Sequence, residues 1–241
     1  KEREIQGEVV FSGSGVLILD KPAGLTSHSV VQQVKKRLRA AKVGHCGTLD
    51  PFATGVLLLL VNEATKLAPF LVDQDKTYRF KVYFGIETDT QDSTGKVVAR
   101  ESCPPLPEWK IRDACGAFTG EIVQAVPHYS AVRVQGKRLY RLARQGIHVT
   151  PPNRTVEIKR LVMRELCWPE ATFEVTCSKG TYIRALGVDL AHYLDCKAHV
   201  SQLNRLRSGR HDLSQAVTLE ELDEIVAGGR VDQILIAQAQ A

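Results

Sequence analysis

Gly44-His-Cys-Gly-Thr-Leu-Asp-Pro-Phe-Ala-Thr-Gly55 runs directly into Val56-Leu-Leu-Leu-Leu-Val61. The first part reads as a loop. Its three glycines permit tight turns or close approach to a ligand. Pro51 pushes Asp50 out of the helical region into extended backbone. The second part is the longest apolar run in the chain and predicts a buried strand. It falls far short of the roughly eighteen residues that a membrane-spanning helix needs. Asp50 is therefore a carboxylate on a constrained loop that feeds a core strand, with His45 nearby as a candidate stacking residue. A bare Asp-Pro pair would also fit an ordinary turn. The phosphate-binding pattern G-x-x-x-x-G-K-[ST] is absent.

Working outward, Gly15 to Asp20 predicts a short strand stopped by Lys21-Pro22. Thr26 or Ser27 can cap a helix whose apolar face carries Val30, Val31, Val34 and Leu38, with a basic opposite face. After the apolar strand, a short helix is expected around Ala64 to Phe70. Lys76 to Phe84 alternates: Tyr78, Phe80, Val82 and Phe84 share one face, Thr77, Arg79, Lys81 and Tyr83 the other. Asp89 to Gly95 reads as a polar turn, since its spacing fails the calcium-loop pattern. A proline-rich linker over Cys103 to Pro107 precedes a helix from Glu108 to Phe118. A basic helix is expected from Arg138 to Gln145, ended by Gly146. Strands near 155–165 and 171–178, a helix over 181–194 and a strand near 198–207 follow. The tail from Thr218 is helical, with Thr218 and Glu221 in capping-box spacing. No steady βαβ alternation is present, so the fold class is mixed α+β, with a largely antiparallel central sheet and flanking helices.

The 241 residues, 44% hydrophobic, suffice for one large domain or two unequal ones. The chain begins at Lys1, which suits a trimmed or processed start, and no secretory segment is evident. Six cysteines without a C-x-x-C pair fit reduced, scattered thiols in a cytoplasmic protein. The histidines lack zinc-binding spacing, so no metal is expected. Net charge is +5, and the basic residues cluster. They gather at Lys35, Lys36, Arg37, Arg39 and Lys42, then at Arg133, Lys137, Arg138, Arg141 and Arg144, then at Arg205, Arg207 and Arg210. Acids collect elsewhere, as at Glu220, Glu221, Asp223 and Glu224. Such segregation gives a positive face toward phosphates, though solvated helix faces would look the same.

The opening stretch carries G-H-x-G-T-L-D-P-x-A-x-G-x-L, and in this it resembles the TruB-type tRNA pseudouridine synthases, which make pseudouridine-55. Other blocks agree in order: Leu19 to Ser27, Lys76 to Tyr78, Gly85 to Gly95, Pro127 to Ala131 with Gly136 to Tyr140, Ser178 to Arg184, and Ala198 to Val200 with Leu203. Cys46 fills the variable place of the signature, Arg133 stands where lysine is common, and Lys197 where glycine is common. The resemblance implies a catalytic domain over residues 1–225, with an RNA-clasping arm inserted at 127–146 and a helix or linker over 226–241. It also implies a small C-terminal PUA domain in the family, which this chain is too short to contain.

The resemblance implies isomerisation of a T-loop uridine, with a transfer RNA T-arm as partner. No cofactor, metal or membrane is implied, and a cytoplasmic monomer is expected. The reaction breaks the N1–C1′ bond, turns the base and bonds C5 to C1′; nothing is oxidised and no group is lost. Asp50 is assigned the nucleophile's place, by attack at C1′ or by a glycal route. Arg184 is assigned the pairing that keeps Asp50 ionised and aligned. Tyr78 would stack on the uracil and accept the C5 proton. Tyr182 and Leu203 would wall the pocket, and His45 would contact the nucleotide as the base flips out. Lys21-Pro22 would support the loop by packing. Arg138, Arg141 and Arg144 rise at helical spacing and would face phosphates. Three other readings compete. One is an RNA-binding or RNA-folding module using the same basic face; another is a guide-RNA-dependent synthase. The third, a glycosidase, needs a second carboxylate that shares no motif with Asp50 here.

Overall fold

In a computed structural model, the described residues are 2–5, 8–134, 136–147 and 149–237. The chain divides into two compact units, Lys1–Lys76 with Asn204–Ala241, and Thr77–Leu203. The first unit opens with β1 (Glu2–Ile5), β2 (Glu8–Phe11), β3 (Gly15–Lys21), α1 (Ser27–Leu38), β4 (Val43–Cys46) and β5 (Thr54–Val61). A 3-10 turn over Asn62–Leu67 and helix α2 (Ala68–Val72) follow. The chain passes into the second unit along β6 (Lys76–Phe84). That unit continues with β7 (Ile86–Thr88), β8 (Val97–Arg100), α3 (Glu108–Ala117) and β9 (Gly120–Ala125). Next come β10 (Arg133–Val134), β11 (Lys137–Arg138), α4 (Leu139–Arg144), β12 (Asn153–Cys167), β13 (Glu170–Cys177) and α5 (Ile183–Tyr193). Strand β14 (Ala198–Ser208) returns to the first unit, which ends with β15 (His211–Asp212), α6 (Leu219–Ala227) and a 3-10 turn over Val231–Gln233.

In the first unit β5 pairs antiparallel with both β3 and β4, and in parallel with β14 at Thr54 and Gly55. Both faces of β3 and β5 are covered, which explains an unbroken apolar run instead of alternation. Leu17, Leu19, Leu57, Leu59 and Val61 pack against Val30, Val31, Val34 and Leu38 of α1 and Leu219 and Leu222 of α6. Val16, Ile18, Val56, Leu58 and Leu60 pack on the other side against Cys46, Ala64 and Leu71. Truncating one such leucine to alanine costs about 2–5 kcal/mol, so β5 is a firm base for the loop that precedes it. Helix α1 is capped by Thr26, whose Oγ1 accepts from Ser29 N at 3.0 Å. The Thr218/Glu221 capping box on α6 forms as its spacing predicts.

The second unit pairs β12 antiparallel with β13 and with β9. The alternation of β6 holds: Tyr78, Phe80, Val82 and Phe84 are buried. Its other face makes cross-strand pairs, Thr77 with Thr176, Arg79 with Glu174, and Lys81 with Glu170. Apart from β5 with β14, the pairings within each unit described here are antiparallel, in keeping with a mixed α+β class.

Three expectations are corrected. Gly44 to Gly55 is not loop throughout: Gly44, His45 and Cys46 lie in β4, where backbone pairing with β5 outweighs the local glycine signal. The helix expected over 64–70 splits at Ala68, because Pro69 has no N–H to extend the preceding turn but suits a helix start. The cysteines are not all reduced, since Cys103 and Cys196 form a disulfide with Cα atoms 5.8 Å apart. The fold joins residues 93 positions apart, which no local spacing could signal. Among the described residues no helix is long and apolar enough to cross a membrane, and no group of three acidic, histidine or cysteine side chains could hold a metal ion.

Candidate active site

In the first unit, Asp50 sits in the loop between β4 and β5 and is partly exposed. Its neighbours on both sides are tied down. Ser27 Oγ accepts from Leu49 N at 2.9 Å and donates to Leu49 O at 3.1 Å. On the far side, Pro51 O accepts from Gly24 N at 2.7 Å and from Lys21 Nζ at 3.2 Å. Lys21 Nζ also donates to Pro22 O at 2.8 Å and Leu25 O at 2.7 Å. Three acceptors match the three protons of an ammonium. Burial lowers the Lys21 pKa to about 8, with the Asp50 carboxylate opposing that shift, so the cation persists at neutral pH. Lys21 thus supports the loop by direct hydrogen bonds, beyond the packing that sequence suggests.

His45, in β4, is half-buried. Burial, then Arg205 and His28, lower its pKa, so the imidazole is neutral at pH 7. A neutral ring suits stacking on a base better than pairing with a phosphate. Cys46 beside it is buried, and its thiol is pushed up to about 11, which leaves it inert as a nucleophile.

Tyr78, Tyr182, Arg184 and Leu203 all fall in the second unit. Tyr78 is 8% exposed on the inward face of β6. Tyr182 stands at the N-cap position of α5, and the buried Gln124 holds its backbone on both sides: Tyr182 N donates to Gln124 Oε1 at 3.0 Å, and Gln124 Nε2 to Tyr182 O at 3.3 Å. Arg184, in the first turn of α5, is 3% exposed. Its Nη1 donates to Thr90 O at 2.6 Å and its Nη2 to Tyr129 O at 3.0 Å, while Asp92 Oδ2 lies 3.8 Å from Nε. Thr90 and Asp92 belong to the 89–95 turn, which Asp92 Oδ1 organises by accepting from Thr94 N and from the Thr90 and Thr94 hydroxyls. Sequence reading missed Gln124, Thr90, Asp92 and Tyr129 as supports, although the last three lie in stretches that carry the resemblance. Leu203 is buried at the end of the second unit.

The arm is a short β10–β11 hairpin followed by α4. Arg138 ends β11 and stands at the α4 N-cap, so only Arg141 and Arg144 of the expected stripe are helical. All three are exposed, and they converge on Tyr140. Arg141 and Arg138 bond its hydroxyl and hold its pKa below the usual phenol range; the Arg144 guanidinium lies 5.8 Å from its ring centroid. Arg133, Lys137, Arg138 and Arg141 line a cavity of about 370 Å³. The third basic cluster is not a surface cluster throughout, because Arg205 is 1% exposed.

Residues 35–183 match the family described as TruB family pseudouridylate synthase (N terminal domain), and residues 184–236 match the tRNA pseudouridylate synthase B C-terminal domain. A tRNA pseudouridine synthase B of Syntrophobacter fumaroxidans is 48% identical over 95% of this chain and 74% of its own length. The one from Geobacter sulfurreducens is 43% identical over 94% of this chain and 75% of its own length. Among solved structures, a Cbf5-Nop10-Gar1 complex aligns with TM-score 0.72 and 31% identity over 91% of this chain and 56% of the matched chain. The chain therefore spans little more than half of that solved chain.

Proposed function

This chain belongs to the TruB family of pseudouridylate synthases, and from that premise we propose that Asp50 isomerises the T-loop uridine at position 55 of transfer RNA. The chain is an isomerase that converts uridine to pseudouridine in tRNA. In our reading the T-arm docks on the arm, the target base flips out at a cost of about a few kcal/mol, and the Asp50 carboxylate serves at C1′. It either attacks C1′ directly or assists loss of the C2′ proton through a glycal. Arg184 keeps that carboxylate ionised and in one rotamer. Its own support is strong: a buried guanidinium fixed by two carbonyls loses little orientational freedom when it meets its partner. Tyr78 stacks on the uracil and takes the C5 proton, Tyr182 and Leu203 wall the pocket, and His45 fills space behind the flipped base. No cofactor is consumed, because the reaction only moves a bond. A monomer working in the cytoplasm, where tRNA is available, completes the proposal.

The observation that carries this reading is the anchoring of Asp50 on both sides, by Ser27 at Leu49 and by Lys21 and Gly24 at Pro51. Backbone fixed on both sides restricts where the carboxylate can point, which is the support a group that must meet a reacting atom requires. The test is single-turnover pseudouridine formation on unmodified tRNA, beside RNA affinity. The wild-type chain should turn over, and Asp50→Asn should bind with little change yet form no product. Binding without turnover by the wild type would favour an RNA-folding module instead.

A further inference from the structure

Lys21, Lys76 and Arg205 are buried cations of the first unit, 0%, 5% and 1% exposed. Lys21 supports the loop as described, and Lys76 Nζ donates to Val72 O and Gln74 O at 2.6 and 2.5 Å. Arg205 is different, because it reaches both ends of the Asp50 loop. Its Nε donates to Val56 O at 2.7 Å and its Nη2 to Gly47 O at 3.1 Å. A buried guanidinium is costly unless its donors are matched. Here the planar fork fixes the spacing between two carbonyls, one before Asp50 and one after it.

The backbone contributes as well. Arg205 pairs in parallel with Gly55. Gly55 has φ +102°, and a Cβ there would lie 2.3 Å from Arg205 O and 2.8 Å from Arg205 N. Gly47 has φ +80°, and a Cβ there would lie 3.4 Å from Arg205 Nη1. Gly47 in the loop and Gly55 at the start of β5, where Asn204 Oδ1 also crowds the Cβ position at 2.4 Å, thus both lie against Arg205.

We propose that Arg205 is a positioning residue for the isomerisation: its guanidinium spans the neck of the loop and fixes the angle at which Asp50 meets C1′, without touching the RNA. This rests on the reading of Asp50 as the nucleophile. A misplacement of about 1 Å at a reacting group can cost about a hundredfold in rate.

The experiment compares wild type, Arg205→Lys and Arg205→Met in single-turnover pseudouridine formation at saturating unmodified tRNA. RNA affinity and amide hydrogen exchange are read on the same samples. Arg205→Lys keeps the charge but loses the fork. It should slow the reaction by about tenfold or more while affinity stays within about threefold. Exchange should quicken over Thr48 to Ala53 and stay slow at Val30 and Val34 in α1. Arg205→Met should be slower still; where it does not fold, the lysine variant decides. An Arg205→Lys rate equal to wild type overturns the proposal. So does a rate loss matched by equal loss of affinity and by fast exchange throughout α1, which marks a general structural role. A wild-type chain that forms no pseudouridine overturns the functional reading itself, whereas an active wild type with an equally active lysine variant removes only Arg205.

Discussion

Tyr78 lies on a strand face shared with Phe80, Val82 and Phe84, and burial alone does not separate it from them. What separates it is the hydroxyl, so the hydroxyl is what to test. Tyr78→Phe keeps the stacking ring and should stall product formation by about a hundredfold while RNA affinity holds. If the phenylalanine variant is as fast as wild type in single turnover, the proton-accepting role is lost and only the stacking role stands. At this scale the sequence was legible wherever chemistry and spacing coincide. Asp50 stands out because a proline follows it and glycines flank it; Tyr78 and Arg184 stand out only through the family resemblance. In sequence Arg205 is indistinguishable from its basic neighbours Arg207 and Arg210, because charge in a sequence says nothing about burial. Cys103 and Cys196 look like free thiols in sequence because their meeting depends on the whole path of the chain.

Among elements, the arm is the one whose role is most open to measurement. Arg138, Arg141 and Arg144 are exposed around Tyr140, and phosphate contacts release counterions. Replacing all three with neutral residues should flatten the log–log salt dependence of RNA binding by roughly one to three units, at about 0.7–0.9 per lost contact. Single-turnover rates at saturating RNA should fall far less than affinity, since none of the three is assigned to the uracil. An unchanged slope would mean that the RNA backbone is held elsewhere. Periodicity located β6, α1 and α6 well, because alternation, a helical apolar face and a capping box are local properties. It failed where partners are distant: β4 is a strand because the edge of β5 needs backbone partners, and α4 starts later than its arginines suggest because Arg138 is used in the hairpin.

For the molecule as a whole, the two-sided burial of β3 and β5 was readable from an unbroken apolar run, and the α+β class from the lack of βαβ alternation. The division into two units was not, since it falls inside β6 and β14, where composition does not change. The central claim is that this chain, as it stands, converts one uridine of the tRNA T-loop. The most direct measurement is to incubate the wild-type chain with unmodified tRNA and map pseudouridine at every position. The account predicts a single new pseudouridine at position 55. Pseudouridine at other positions with none at 55, or no pseudouridine anywhere, would contradict it.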